Sequence, residues 1–196
     1  MMKKTKFLFL ALPLLSFLSA CVPSMDIKYD SLAKTDVKRG TVVVGEVNNN
    51  RLKNYGGQSF GLLGKLRGGY GNPFDLQTQE GREINIVLRE MAKNILEHTG
   101  YTSVGTDKKA SRLVIDVIRF WCDGYGNKYT IEAELAVKLV DPLDGKVLAQ
   151  RGINFEREFS LSSPGKTRDA FDVVFNEIQK QLLAFVQSND FQSAVK

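Results

Sequence analysis

Covalent or acid–base chemistry in these 196 residues would have to be built from two cysteines, one histidine, a Gly-x-Ser-x-Gly segment and a scatter of carboxylates. Gly57-Gln58-Ser59-Phe60-Gly61 matches the pattern in which a strained strand-to-helix turn projects a nucleophilic serine. That turn needs a buried strand on entry and a helix on exit, whereas residues 48–55 are polar and Gly61, Gly64 and Gly68 interrupt any helix. The order Ser59, Asp75, His98 imitates a catalytic triad, yet His98 falls near a helix C-terminus, where the helix dipole alone accounts for it. A Cys122–His98 dyad is opposed by the apolar run around Cys122 and Trp121, which suits a buried, inert thiol. Gly64-Lys65 lacks the earlier glycine at position 59 and the Ser or Thr at 66 that a phosphate loop requires. One histidine and so few thiols fall short of the usual nitrogen and sulfur ligand sets, so neither a metal nor a cofactor is expected. Asp123, Glu132, Glu134, Glu156 and Glu158 are the carboxylates that could serve glycan hydrolysis. The glutamates, however, alternate with apolar residues as the solvated face of a half-buried strand does. The expectation is a protein that is not an enzyme.

The elements that must hold these residues follow from periodicity. Thr41-Val42-Val43-Val44-Gly45-Glu46-Val47 is short and β-branched, as a buried strand is. Residues 48–76 form a Gly- and Asn-rich stretch carrying Tyr55, Phe60, Leu62, Leu63, Leu66, Tyr70 and Phe74, too apolar for a plain linker and too long for an ordinary loop. Ile84, Val87, Leu88, Met91 and Ile95 recur at helical spacing after Thr78, a candidate cap, and Gly100 supplies the stop. Tyr101 to Val104, Leu113 to Trp121, Tyr129 to Leu139 and Val147 to Phe159 read as strands, the last three as an antiparallel meander. A closing helix runs from about Thr167 to Gln187, with Phe171, Val174, Phe175, Ile178, Leu182, Phe185 and Val186 on one stripe. The order β-α-β-β-β-β-α predicts an α+β domain: one mainly antiparallel sheet of 4–5 strands, with two amphipathic helices packed on one face.

At the N-terminus, Lys3, Lys4 and Lys6 precede an apolar run from Phe7 to Leu18, the layout of a secretory signal peptide. The run is about 12 residues, against the ~20 needed to span a bilayer as a helix. Leu18-Ser19-Ala20-Cys21 resembles the lipobox of bacterial lipoproteins, an aliphatic residue and two small ones before a cysteine. The resemblance implies cleavage between Ala20 and Cys21 and a diacylglyceryl group on the Cys21 sulfur. Two or three acyl chains hold a protein to a bilayer stably, at about 0.8 kcal/mol per buried methylene. Val22, rather than Asp, after the cysteine implies outer-membrane sorting, with the protein facing the periplasm. Without residues 1–20 the 27 basic side chains fall by three lysines to 24 against 22 acidic, a formal +2. No dense basic block remains, so no nucleic-acid partner is expected. Cys122 is then the one thiol left in an oxidising compartment, without a disulfide partner in the chain.

The lipobox, the helix from Leu88-Arg89-Glu90-Met91 to Gly100-Tyr101, the strand series Leu113 to Phe155 and the closing helix ending Phe185-Val186-Gln187 together resemble the YajG-type group of Gram-negative lipoproteins. The glycine-rich stretch departs from that group. Auxiliary lipoproteins of lipid-trafficking ABC transporters share a similar small α/β design and form the nearest alternative, with a small envelope hydrolase the more distant one. The organisation expected is a signal peptide over 1–20, a lipid-bearing tether over 21–39 and one periplasmic domain over 40–196. The expected role is a non-enzymatic, membrane-tethered binding module for an envelope protein or the cell wall. Tyr55, Phe60, Tyr70 and Phe74 are its candidate anchors, because aromatic rings on loops are favoured at binding hot spots. The competing reading is that these rings simply cover one sheet face.

Overall fold

The structure is a computed structural model that describes residues 24–67, 73–103, 109–160 and 166–195. Its elements are β1 (Ser24–Met25), β2 (Gly40–Asn49), a 3-10 turn (Lys53–Tyr55), β3 (Leu62–Arg67), β4 (Pro73–Thr78), α1 (Ile84–His98), β5 (Tyr101–Thr102), β6 (Ser111–Tyr125), β7 (Lys128–Val140), β8 (Val147–Ser160), α2 (Lys166–Val186) and α3 (Asn189–Ala194). β7 shows why the strands form where they do. Tyr129, Ile131, Ala133, Leu135, Val137 and Leu139 are buried and the residues between them are half-exposed, a period of two that only a strand can sort onto two faces. In α1, Ile84, Val87, Leu88, Met91 and Ile95 are fully buried at spacings of three and four. Thr78, expected as a helix cap, instead ends β4. The helix starts after Glu83 without a side-chain cap.

β6 organises the sheet. β7 runs antiparallel along one side of it from Arg112↔Val140 to Tyr125↔Lys128, and β8 pairs antiparallel with β7. The other side of β6 is shared: β2 lies parallel to residues 111–117 and β3 parallel to residues 122–125. β4 is antiparallel to β3, β1 parallel to β4, and β5 parallel to β2. The sheet is therefore mixed and has eight strands, where 4–5 mainly antiparallel ones were expected. The meander is antiparallel as read. The parallel pairs with β6 arise because the chain leaves β2 and β3, crosses over through α1 and re-enters in the same direction as β6. Two of the extra strands, β3 and β4, come from the glycine-rich stretch, where Leu63 and Leu76 are fully buried.

α1 packs on β2, and α2 on β7 and β8, so both long helices cover one face of the sheet, as anticipated. Phe120 of β6 meets Phe171 and Phe175 of α2 at ring-centroid distances of 6.1 and 5.3 Å. A third helix, α3, was not anticipated. Ser188 caps it by accepting from the Phe191 N–H, and buried Phe191 packs edge-on against Phe185 and Tyr101.

The expected tether over 21–39 is docked from Ser24 onward. Met25 and Ile27 are buried in the core, and the segment then lies along α1 and α2 as a strap. The Lys28 N–H donates to Asp172, the Asp30 N–H to Asn176, and Gln179 donates to the Asp30 carbonyl. On the α1 side Lys34 pairs with Glu97 at 2.6 Å, and the His98 ring bonds the Ala33 carbonyl. Polar residues made this stretch look like a linker. What holds it is backbone hydrogen bonding to side chains of two helices, which leaves no periodic trace in sequence.

Candidate functional site

The sheet face opposite the helices is open, and a one-residue irregularity decides what it displays. Leu113, Ile115 and Val117 of β6 point into the core, and the pairing with β7 then skips Ile118. After the skip Phe120 and Cys122 take the fully buried core positions, so the phase of the strand has flipped, while Trp121 on the other side of the strand is covered to 8 % exposure. Without this bulge Arg119 and Trp121 would point into the core. With it they stand on the open face beside Glu132 and Glu134 of β7.

Around Trp121 the face forms a small aromatic and charged cluster. Tyr55, from the turn after β2, packs edge-on against Trp121 at 5.6 Å and interplanar 88°, and the Arg119 guanidinium sits 5.7 Å from the Tyr55 ring centre. Arg119 Nη1 donates to Glu132 Oε2 at 2.7 Å, and this bond, with the charge of Glu132, raises the guanidinium pKa. Beside the pair lies a shallow depression of about 220 Å³ lined by Arg119, Glu132, Glu134, Asn154 and Glu156. Glu132 stands directly opposite Glu156 across β7 and β8. A like-charged cross-strand pair is mildly unfavourable, and Arg119 partly offsets it. Further along, Asp116 is hydrogen-bonded to Lys138 at 2.6 Å and Asn48 at 2.8 Å. Burial opposes ionisation of Asp116, but these bonds and the Lys138 charge outweigh it and hold the carboxyl below its usual range.

The loop that delivers Tyr55 is fastened by Arg51, which is 5 % exposed. Its guanidinium donates to the Ser59, Leu62 and Phe120 carbonyls and to Asn49 Oδ1 at 2.5–3.2 Å, and burial lowers its pKa to about 10. Gly56 has φ +84°, and a β-carbon there would lie 2.7 Å from Arg51 Nη1. Only glycine lets the chain pass this close.

The residues proposed from sequence end up in different places. Tyr55 joins Trp121 on the open face. Phe60 is half-buried against the core, and its carbonyl accepts from the Ile84 N–H. Phe74 is 49 % exposed at the end of the sheet. Tyr70, Ala20 and Cys21 lie outside the described residues. Ser59 sits in a turn, its hydroxyl accepting from the Gly61 N–H. Asp75 faces Lys65 at 4.0 Å, and His98 is held at the strap, so the three do not assemble. Cys122 is fully buried and its thiol is pushed up to about 12 by burial, with Asp123 adding to the shift. Arg51, Arg119 and Trp121 were not singled out from sequence. For the last two the sequence signal is weak: residues 113–122 are apolar at every position except Asp116 and Arg119, so the change of phase is not marked. Among the described residues no group of three or more His, Cys, Asp or Glu side chains is arranged to hold a metal, and no described helix is long and apolar enough to cross a membrane.

No family model matches the chain, and neither does any curated protein. Among solved structures, protein XCC0632 from Xanthomonas campestris, assigned to DUF330, superposes with a TM-score of 0.55 at 16% identity. The match covers 82% of this chain and 94% of that one. A Helicobacter pylori protein, provisionally named a neuraminyllactose-binding hemagglutinin homolog, gives 0.50 at 10% identity over 87% and 95%. Lipoprotein GNA1162 from Neisseria meningitidis gives 0.37 at 13% over 72% and 98%. At these identities the first two likenesses are likenesses of fold.

Proposed function

We propose that this chain is a lipid-anchored, non-enzymatic lipoprotein of the cell envelope, held at the outer membrane through acylated Cys21. Its α+β domain is a binding module facing the periplasm. The observation that carries the anchor is Leu18-Ser19-Ala20-Cys21 placed directly after a short apolar run and three residues ahead of Ser24, where the folded domain begins. Acyl chains on that sulfur supply the membrane affinity, and the sheet supplies the recognition.

The binding surface of this reading is the open face around Tyr55, which is 38 % exposed and packs on buried Trp121. It combines a rigid aromatic pair with more carboxylates than bases: Glu132, Glu134 and Glu156 against Arg119. That chemistry suits a partner presenting cationic or amide donors, an envelope protein or a peptide-bearing wall polymer, and suits an anionic sugar poorly. The four aromatics singled out in the sequence contribute one member, Tyr55.

The test is photocrosslinking from position 55 in intact envelopes, with labelled palmitate fed to the same cells. Recovery of one defined partner, lost on Glu134→Arg and Glu156→Arg substitution, is the expected result. Palmitate incorporation without any crosslinked partner from this face contradicts the binding role.

A further inference from the structure

The chain between the lipid-bearing residue and the folded domain is short enough to fix how the domain sits on its membrane. Three residue steps separate Cys21 from Ser24, and at 3.3–3.6 Å each they reach at most about 11 Å. Headgroups and interface occupy roughly 5–8 Å on each side of a hydrocarbon core. The end of the sheet from which β1 emerges is therefore brought to the bilayer surface and cannot hang away from it.

The register identifies that end. β1 is parallel to β4 and Ser24 pairs with Gln77, so the direction back along the chain from Ser24 is the direction from Gln77 toward Phe74, which is also three residues away. Phe74 pairs with Leu66 of β3, Leu66 with Gly124 of β6, and the neighbouring row ends in Tyr125. Adjacent strands are about 4.8 Å apart, so Phe74 on β4 and Tyr125 on β6 stand two spacings, about 10 Å, apart at one rim with β3 between them. Both rings are unusually open for their type, 49 % and 68 % exposed. Phe74 shares its parity with buried Leu76, and Tyr125 shares its parity with Trp121 on the open face, so one ring flanks each side of the sheet end. Among the described residues the bases of this rim are matched by acids: Lys65 by Asp75, Arg67 by Asp123, Lys128 by Glu158. A rim of two exposed rings among paired charges has the composition of a membrane interface rather than of an electrostatic lipid trap.

We infer that this rim, with Phe74 and Tyr125 as its inserted side chains, is the membrane-contacting surface of the anchored protein. The inference rests on acylation of Cys21. The long axis of the meander then stands away from the bilayer. The opposite turn, where Leu143 is 79 % exposed, lies on the far side, roughly 40 Å distant along β7 at 3.3 Å per residue.

The test uses the acylated protein extracted from membranes and reconstituted into vesicles of phosphatidylethanolamine and phosphatidylglycerol. An environment-sensitive dye is attached at Phe74→Cys, Tyr125→Cys or Leu143→Cys. Cys122 is buried and Cys21 is occupied, so the introduced thiol is the one that reacts. Spin-labelled lipid is expected to quench the dye at 74 and 125 and to leave the dye at 143 bright. Protein that floats with vesicles and carries acyl chains, yet shows 74 and 125 as bright as 143, overturns the orientation and leaves the anchor standing. Protein whose Cys21 carries no acyl chain overturns both.

Discussion

Arg51 carries a charge into the interior and spends it on the backbone carbonyls of three segments. Replacing it with methionine keeps the volume and removes the guanidinium bonds to the Ser59, Leu62 and Phe120 carbonyls, so Arg51→Met is expected to lower stability by about 2–3 kcal/mol in urea titration. An unchanged midpoint would mean that the loop is held by something else. Asp116 makes the corresponding statement about pH. Its folded pKa lies below the unfolded value of about 3.9, so its contribution is present above that pH and fades as acid brings the pH through the folded value. Asp116→Asn is expected to cost roughly 1–2 kcal/mol at neutral pH, where the charge-assisted bonds to Lys138 and Asn48 are lost. The variant's stability should then vary less than the parent's between pH 5 and pH 2, and parallel curves contradict the assignment.

Among the elements, the pairing of β3 with β6 depends on one missing side chain. A β-carbon on Gly64 would stand 2.0 Å from the Cys122 carbonyl oxygen, so Gly64→Ala must push the two strands apart. The expected loss is roughly 3 kcal/mol, read as a drop in thermal midpoint, and a tolerated alanine would show the pairing to be looser than described. The same glycine explains a failure of sequence reading. α1, β7, β8 and α2 were legible because each sorts apolar residues by a clean period. β3 was not, because Gly64, which allows close strand approach, also erases the alternation and reads as loop, and β4 was not, because it is six residues long, opens on a proline and follows the glycine-rich run. The bulge at Ile118 hid Arg119 and Trp121 in a run that looks uniformly apolar when its phase is ignored. β1 was hidden by its length: two residues carry no period.

For the whole molecule, the consequence is a packed domain that begins three residues after Cys21. The strap from Ser24 to Arg39 closes the helical layer, and Ile27, fully buried, is its deepest point. Ile27→Asp is expected to cost about 3–4 kcal/mol, since it empties an apolar site and buries a carboxylate, whereas a free linker would accept it at no cost. With the strap docked, the described residues from Ser24 on pack around one core that starts three residues after Cys21, and both the proposed open-face recognition and the proposed rim contact depend on what Cys21 carries. Mass analysis of the N-terminal peptide of membrane-extracted protein tests that most directly. The account predicts a peptide beginning at Cys21 and bearing the mass of a diacylglyceryl group. A Cys21 thiol without lipid, in a peptide still joined to Ala20, contradicts it.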